Sequence, residues 1–454
     1  MSTIEQIAAA LQGYDPQALA ATSVNQFLAR LVSPVSESEP VGVFDALGRV
    51  LAEDVISPIS VPPHDNSAMD GFAFDGTQLV PGQALVLRLA EGTAWAGKAW
   101  AGTASAGECV KIMTGAIMPA GMDTVVPLEF VRVDGGQLTV PADVVRRGDN
   151  RRLLGEDLMA GRPALARGQT LGPAALGLIA SLGLPTVRVF RRLKVAYFST
   201  GDEILSLGEA PREGAVYDSN RYTVFGLLTR LGVEVIDMGV VRDEPAALEA
   251  AFRHAAREAD AIITSGGVSM GEADHTKAMM KQLGDVAFWR IAMRPGRPMA
   301  VGRIVFPHAP PLRGSLPPEG AEPGLGRPGV GLDEAGKSSI LFGLPGNPVA
   351  VMVTFLAFVR PALQRMMGCA DVDPVLLKAH SAEPLRKKPG RTEYQRGIVA
   401  RAADGSLRVR TTGNQGSGVL RSMVEANGLI VLHHGQGNVA IGDEVDVMMF
   451  DGVI

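Results

Sequence analysis

Ala-Ile-Ile-Thr-Ser-Gly-Gly-Val-Ser-Met-Gly-Glu-Ala-Asp-His-Thr, residues 261–276, decides how this chain is read. Four apolar or β-branched residues make a buried strand, Ser265-Gly266-Gly267 break it, and Gly271 leads into a helix. Paired glycines let the backbone turn sharply and come close to a ligand, and the unpaired N–H groups at a helix start favour an anion. Phosphate or another oxyanion is the expected guest. A second strand end of this kind follows, where Ile340-Leu341-Phe342 runs into Gly343-Leu344-Pro345-Gly346-Asn347-Pro348. Asn347 suits a helix N-cap and Pro348 the first helical position. The two loops are expected side by side at the carboxyl edge of one parallel sheet, where open α/β folds place ligands.

Working outward, 193–199 reads as a strand, 219–231 as a helix, 233–241 as a strand, 245–258 as an alanine-rich helix and 261–264 as a strand again. Strands alternating with helices of this length imply right-handed βαβ units. The pattern predicts an α/β domain over 191–368, closed by a helix from Pro348 to about Met367 and interrupted by a flexible, Pro- and Gly-dominated surface insertion at 307–337. Short strand-like runs separated by turn signals predict a small β domain over 61–150. Residues 22–60 and 151–190 bracket it and are expected to pair as one discontinuous linker domain. After Pro374, strands near 395–401, 407–412 and 429–432 predict a C-terminal β barrel or sandwich over 369–454. The fold class is therefore multidomain, α/β plus β.

Composition sets the outer limits. A chain of 454 residues is too long for one ordinary core. It is 46% hydrophobic and 20% charged with a formal net charge of -5, and no run of Lys or Arg forms a stripe, so nucleic acid is not expected as a partner. Cys109 and Cys369 lie far apart with no metal-ligand spacing, which suggests neither a disulfide framework nor a zinc site and suits a reducing cytoplasm. Glu5 and an amphipathic start argue against a signal peptide, and no apolar run is expected to approach the ~20 residues that cross a bilayer. Trp95 and Trp100 are expected in packing, and His433-His434, with no carboxylate nearby in sequence, as structural or surface residues.

Several charged positions admit two readings. In Asp65-Asn66-Ser67-Ala68-Met69-Asp70-Gly71 the acids either cap turns or serve chemistry, and Asp202-Glu203 ends a sheet strand where either a helix-start acid or a catalytic group fits. Asp274 either caps the helix after the glycine loop or holds Mg²⁺ against a phosphate. Arg290, Arg294 and Arg297 surround a proline-stiffened loop suited to bidentate grip of an oxyanion, although surface arginines are usually just solvated.

Six segments in register carry a resemblance: 65–71, Met113-Thr114-Gly115-Ala116, Ser199-Thr200-Gly201-Asp202-Glu203, Tyr217-Asp218-Ser219-Asn220-Arg221, 265–274 and 343–348. Together they resemble the MoeA family of molybdopterin molybdotransferases, to which the gephyrin E domain also belongs, from about residue 23 to the C-terminus. The resemblance implies an elongated, four-domain homodimer that inserts molybdate into adenylylated molybdopterin and releases AMP with Mg²⁺ assisting. It implies functional roles for Asp70, Thr114, Asp157, Glu203, Asp243 and Asp274, with Glu203 and Asp274 as metal ligands. Substrate binding then falls to Ser265, Gly266, Gly267, Ser269, Arg290, Arg294, Arg297, Pro345, Gly346, Asn347 and Pro348. The site is expected between the β domain of one subunit and the α/β domain of the other. Transient contact with molybdopterin adenylyltransferase and with molybdoenzyme-maturation proteins is expected, and no membrane. The arginines depart from the family's Lys-Pro-Gly-Lys-Pro loop, and the 307–337 insertion exceeds its usual connection.

Two other functions are compatible with parts of this pattern. A molybdopterin adenylyltransferase shares the α/β domain, but it typically carries Gly-Thr-Gly where this chain has Gly-Gly-Val-Ser, and it lacks flanking domains. A gephyrin-like scaffold needs no chemistry, yet every expected acid is present here.

Overall fold

The computed structural model describes residues 3–267, 275–305 and 338–450. The insertion at 307–337 and the site residues Ser269 and Asp274 lie outside the described residues. The chain divides into two compact units, one of residues 1–39, 48–50 and 189–454, the other of 40–47 and 51–188.

The first unit is built on a six-stranded sheet. Its strands are β1 (Lys194–Thr200), β2 (Glu234–Val241), β3 (Ala261–Ser265), β4 (Gly284–Arg290), β5 (Pro298–Val305) and β6 (Ser338–Leu344), in the order β2-β1-β3-β6-β5-β4. Four strands are parallel, as the βαβ pattern requires. The sheet is nevertheless mixed, because β5 and β4 join the edge antiparallel. The sequence reading of a central parallel sheet holds for these four strands and does not include the antiparallel edge: β4 returns into β5 without a crossover helix, and only antiparallel neighbours can be joined that way. Val305 and Ser338 face each other as the last Cα pair of β5 and β6.

Both faces of the sheet are covered. Helix α1 (Ser219–Leu231) starts where Asp218 accepts the Arg221 amide at 3.0 Å and stops at Gly232, whose φ of +82° only glycine adopts cheaply. Its buried face is Val224, Leu227 and Leu228. Helix α2 (Pro245–Glu258) buries Leu248, Ala251, Phe252, Ala255 and Ala256, an i, i+3, i+4, i+7, i+8 stripe, on the opposite face. Phe252 meets Phe198 of β1 edge-on with ring centroids 5.1 Å apart. Full burial of Leu248 and Phe252 contributes about 1.5–3 kcal/mol each. Helix α3 (His275–Leu283) shares that face through Met279 and Met280.

The helix after β6 runs from Pro348 to Met366 and opens into a π-turn at Phe355–Val359. Pro361 has no N–H to donate four residues back, and the widened turn just before it accommodates that loss. This segment is long and apolar enough to cross a membrane, with a mean hydropathy of 1.4, contrary to the expectation that no such run exists. It is 83% buried inside the molecule, so its apolarity belongs to the core.

Residues 22–39 fall in the first compact unit, whereas 51–60 fall with 151–188 in the second. Helix Ala21–Leu31 presents Val24, Phe27, Leu28 and Leu31 to the α/β core, with Phe27 edge-on to Trp289 at 4.8 Å. An apolar stripe that complete packs where the largest apolar surface is on offer. In the second unit, Val55–Ile56 pairs with Pro163–Leu165, and Val61 bridges Leu158. A six-stranded sheet runs, in spatial order, Thr124–Pro127, Gly71–Phe74, Glu108–Ile112, Leu85–Ala94, Gln137–Val140 and Arg132–Asp134. Trp100 packs on it, but Trp95 is 59% exposed, against the expectation of packing.

The C-terminal strands β7 (Leu376–Ser381), β8 (Thr392–Arg401), β9 (Leu407–Thr411), β10 (Gly428–Leu432) and β11 (Glu444–Met449) close as β8-β9-β7-β11-β10-β8, a five-stranded barrel with no free edge. Val409, Ile430, Leu432, Val445 and Val447 fill it. His433, at the end of β10, is exposed and pairs with Asp446 at 2.6 Å, a carboxylate brought near by the barrel rather than by the sequence.

Candidate functional site

Strand order reverses between β1 and β3, the switch point at which a parallel sheet opens a crevice at its carboxyl edge. A cavity of about 540 Å³ lies there. The end of β1 supplies Ser199 and Thr200, the end of β3 Ser265 and Gly266, the turn after β6 Gly346, Asn347 and Pro348, and the start of α1 Asp218 and Asn220. The two glycine-rich ends are neighbours, as the sequence predicted: Ser265 is the Cα partner of Leu344, and the Gly266 N–H donates to the Leu344 carbonyl at 3.3 Å.

The glycines are there for steric reasons. At φ +91° a Cβ on Gly266 would lie 2.4 Å from the Thr200 carbonyl oxygen, and at φ +64° one on Gly267 would lie 2.4 Å from the Thr276 Cβ. Gly346 lacks this constraint, since a Cβ there meets nothing within 4 Å.

Two of the lining hydroxyls, those of Ser199 and Ser265, meet the phenol of buried Tyr197. Tyr197 Oη lies 2.8 Å from Ser199 Oγ and 2.7 Å from Ser265 Oγ, while the serines are 3.3 Å apart. Burial pushes the Tyr197 phenol up beyond the range of tyrosine titration in water. It stays neutral and has one proton, so it can donate to only one serine and must accept from the other.

Asn347 corrects a detail. It occupies the N-cap position but makes no capping bond; its Nδ2 donates to Ser417 Oγ at 3.0 Å, and the Val349 N–H donates to the Ser417 carbonyl. With that amide satisfied and Pro348 lacking one, the side chain has less to cap.

Three buried polar atoms around this cavity have no partner among the described residues: Thr200 Oγ1, Asp218 Oδ2 and Asn220 Oδ1. Their residues are 5%, 4% and 8% exposed. An unpaired buried polar atom costs about 1–3 kcal/mol, so these three stand out among the atoms around the cavity. Sequence reasoning missed Asp218 and Asn220 as site residues, although an Asx pair opening a helix at a sheet's carboxyl edge is a legible signal.

The acids divide between the two units. Glu203 is exposed at the cavity rim. Half-buried Asp243 accepts from the Thr276 hydroxyl at 3.1 Å, which ties it to the start of α3 beside Gly267. In the other unit Asp70 Oδ1 accepts from the Thr114 N–H at 2.7 Å and from its hydroxyl at 2.6 Å, rather than turning its own loop. Asp65 accepts the Leu154 amide at 2.7 Å, and Asp157 is exposed on the same unit.

The Thr114 hydroxyl and then its amide hold the Asp70 carboxyl below the usual carboxylate value. Because the folded pKa is depressed, the stabilisation is present above the unfolded value near 3.8 and is lost as pH falls through the folded one. Thr114→Val removes one of the two donors. The Asp70 carboxyl should then titrate at higher pH by carbon NMR, and an unmoved titration would reject this origin of the shift.

The arginines are not in this cavity. All three are exposed, and Arg294 opens instead onto a second cleft of about 280 Å³ facing the barrel, with Glu383, Glu393 and Arg396. The reason is local: residues 293–294 pair with 392–393 of the barrel, which draws the loop to that side. Arg396, which sequence reasoning also missed, is 1% exposed and donates to Ser422 Oγ and to the carbonyls of Asn414 and Gly416. Burial, then the nearby Arg294 charge, push its guanidinium down to about 10. Gln415 lines this cleft and Gly418 the first, so one barrel segment borders both.

Comparison with known proteins accounts for this arrangement. Residues 19–183 match the MoeA N-terminal region (domain I and II), 196–365 a probable molybdopterin binding domain, and 378–450 the MoeA C-terminal region (domain IV). A Haemophilus influenzae protein named molybdopterin molybdenumtransferase is 37% identical over 92% of this chain and 95% of its own length. The chain belongs to the MoeA family. A Nostoc molybdopterin molybdenumtransferase is 33% identical over 91% of the chain and 88% of its own. Among solved MoeA structures, a molybdopterin biosynthesis MoeA protein from Pyrococcus horikoshii superposes with a TM-score of 0.69 at 26% identity, covering 96% of this chain and 99% of that one. A second structure from that organism gives 0.74 at 24% identity over 95% and 100%, which speaks for the fold alone.

Proposed function

We propose that this MoeA-family chain is a molybdopterin molybdenumtransferase, an enzyme that inserts molybdenum into molybdopterin. The observation that carries the reading is the full-length match to relatives of that name, flanking domains included. The cavity supports it. The Gly266–Gly267 turn suits the phosphate of the pterin substrate, and the Ser199 and Ser265 hydroxyls suit the oxygens around it. The second cleft, with Arg294 near the buried Arg396, suits molybdate, because an oxyanion relieves the repulsion between two guanidinium groups. Gln415 to Gly418 would carry one anion toward the other.

In this reading the pterin substrate is adenylylated and AMP leaves. Asp243 orients water or moves protons as oxygen departs from molybdenum. Among the described residues no three His, Cys, Asp or Glu side chains form a metal cage. Mg²⁺ is commonly held by one or two carboxylates and by substrate phosphates, a role open to the exposed Glu203 carboxylate at the cavity rim. Glu203 would hold it, with Asp274 as the second ligand. Held there, Mg²⁺ would supply positive charge against the phosphoanhydride. Cys109 and Cys369 are thiols rather than a disulfide, which supports a cytoplasmic setting. Adenylyltransferase and maturation proteins are the natural transient partners.

Asp70 and Thr114 of one copy and the cavity of a second are read as parts of one site in a homodimer. The test is AMP release and molybdenum uptake from adenylylated molybdopterin, Mg²⁺ and molybdate. Asp70→Asn and Glu203→Gln should each be nearly inactive, and mixing them should restore about a quarter of the activity, the intact-site fraction expected of shared sites. No AMP from the wild type would sink the function, and no recovery on mixing would sink the shared site.

A further inference from the structure

The cavity has two chemically different ends. One is the turn at Gly266 beside the Ser199 and Ser265 hydroxyls, fit for an anion. The other is the start of α1, where the unpaired side-chain atoms of Asp218 and Asn220 are both acceptors. Asp218 Oδ1 is committed to the Arg221 amide at 3.0 Å, which leaves Oδ2 free. The Asn220 amide is fixed in orientation because its Nδ2 donates to the Gly346 carbonyl at 2.7 Å, which leaves Oδ1 free. Both residues are more than nine-tenths buried and both line the cavity. An anion is repelled by a carboxylate and an amide oxygen; a group with N–H donors is not. Arg221 does not take this role, since Asp237 holds its guanidinium bidentately.

We propose that Asp218 Oδ2 and Asn220 Oδ1 read the N–H edge of the pterin, accepting from its 2-amino group and its neighbouring ring N–H. This deepens the molybdopterin reading of the same cavity and rests on it. A pterin offers two adjacent donors on the pyrimidine ring, remote from the side chain that carries its phosphate. Phosphate at the glycine turn and the donor edge at α1 would fix the molecule at both ends, and a buried acceptor left unpaired penalises any heterocycle lacking a donor there. The pair therefore selects for 2-amino-4-oxo rings against 2,4-dioxo rings.

The test compares a 6-alkylpterin phosphate monoester with its lumazine counterpart, in which a carbonyl replaces the 2-amino group, by fluorescence anisotropy on the full-length protein. Wild type should favour the pterin by about tenfold or more. Asp218→Ser keeps an N-cap and deletes the pocket acceptor; Asp218→Asn keeps the shape and can turn a donor inward. Serine should erase the preference and asparagine should erase or reverse it. Because the readout is a ratio, a general loss of affinity cancels. An unchanged ratio in both variants overturns the inference while the site reading stands. Binding of neither ligand by the wild type overturns the site reading itself.

Discussion

Gly266→Ala should lower molybdenum insertion by about a hundredfold or more, the scale set by misplacing reacting groups by an ångström. The added Cβ would sit 2.4 Å from the Thr200 carbonyl oxygen and 3.1 Å from its hydroxyl, at a φ of +91° that alanine resists. The strand end must move, and with it Ser265 and the turn amides. The strain itself costs about 1–3 kcal/mol, so the protein should remain folded. Gly346→Ala is the matched control: it lines the same cavity, but its Cβ would point into open space. Measuring AMP release beside a thermal melt separates the two variants. Equal activity would show that the turn amides do not touch the substrate.

Arg396→Met should destabilise the protein by roughly 2–4 kcal/mol, because the Asn414 and Gly416 carbonyls and the Ser422 hydroxyl lose a buried donor worth about 1–3 kcal/mol each, offset in part by relieving a desolvated charge. Activity should fall as well, since those carbonyls belong to the segment that borders both clefts. Arg396→Lys keeps the charge, but a single ammonium does not reproduce the fork. A Met variant that melts with the wild type would mean that desolvation cancels the bonds.

Where local pattern and tertiary need coincide, the sequence is transparent. The residues of α1, α2 and β3 announce themselves by period, caps and glycines, because each element obeys its own neighbours. The glycine turns are legible for the same reason: no other residue fits them. What pairing across long separations decides is not. Asn347 answers to Ser417, Arg396 to Asn414 and Ser422, and Arg294 to the barrel strand that holds its loop. The orphan oxygens of Asp218 and Asn220 become visible only when the whole wall is assembled, because absence of a partner is a property of the fold.

The closing pair of β5 and β6 has a use of its own. Val305 and Ser338 are opposite one another in an antiparallel ladder that runs on to Ala300 and Gly343, beside the ligand turn. Whatever chain joins them leaves and re-enters the sheet at one point, and doubling its length adds only ~0.6 kcal/mol of closure entropy. The ladder therefore acts as a socket: a reporter domain or affinity handle with adjacent termini can be plugged in there, leaving the sheet's carboxyl edge at the far end of the same two strands.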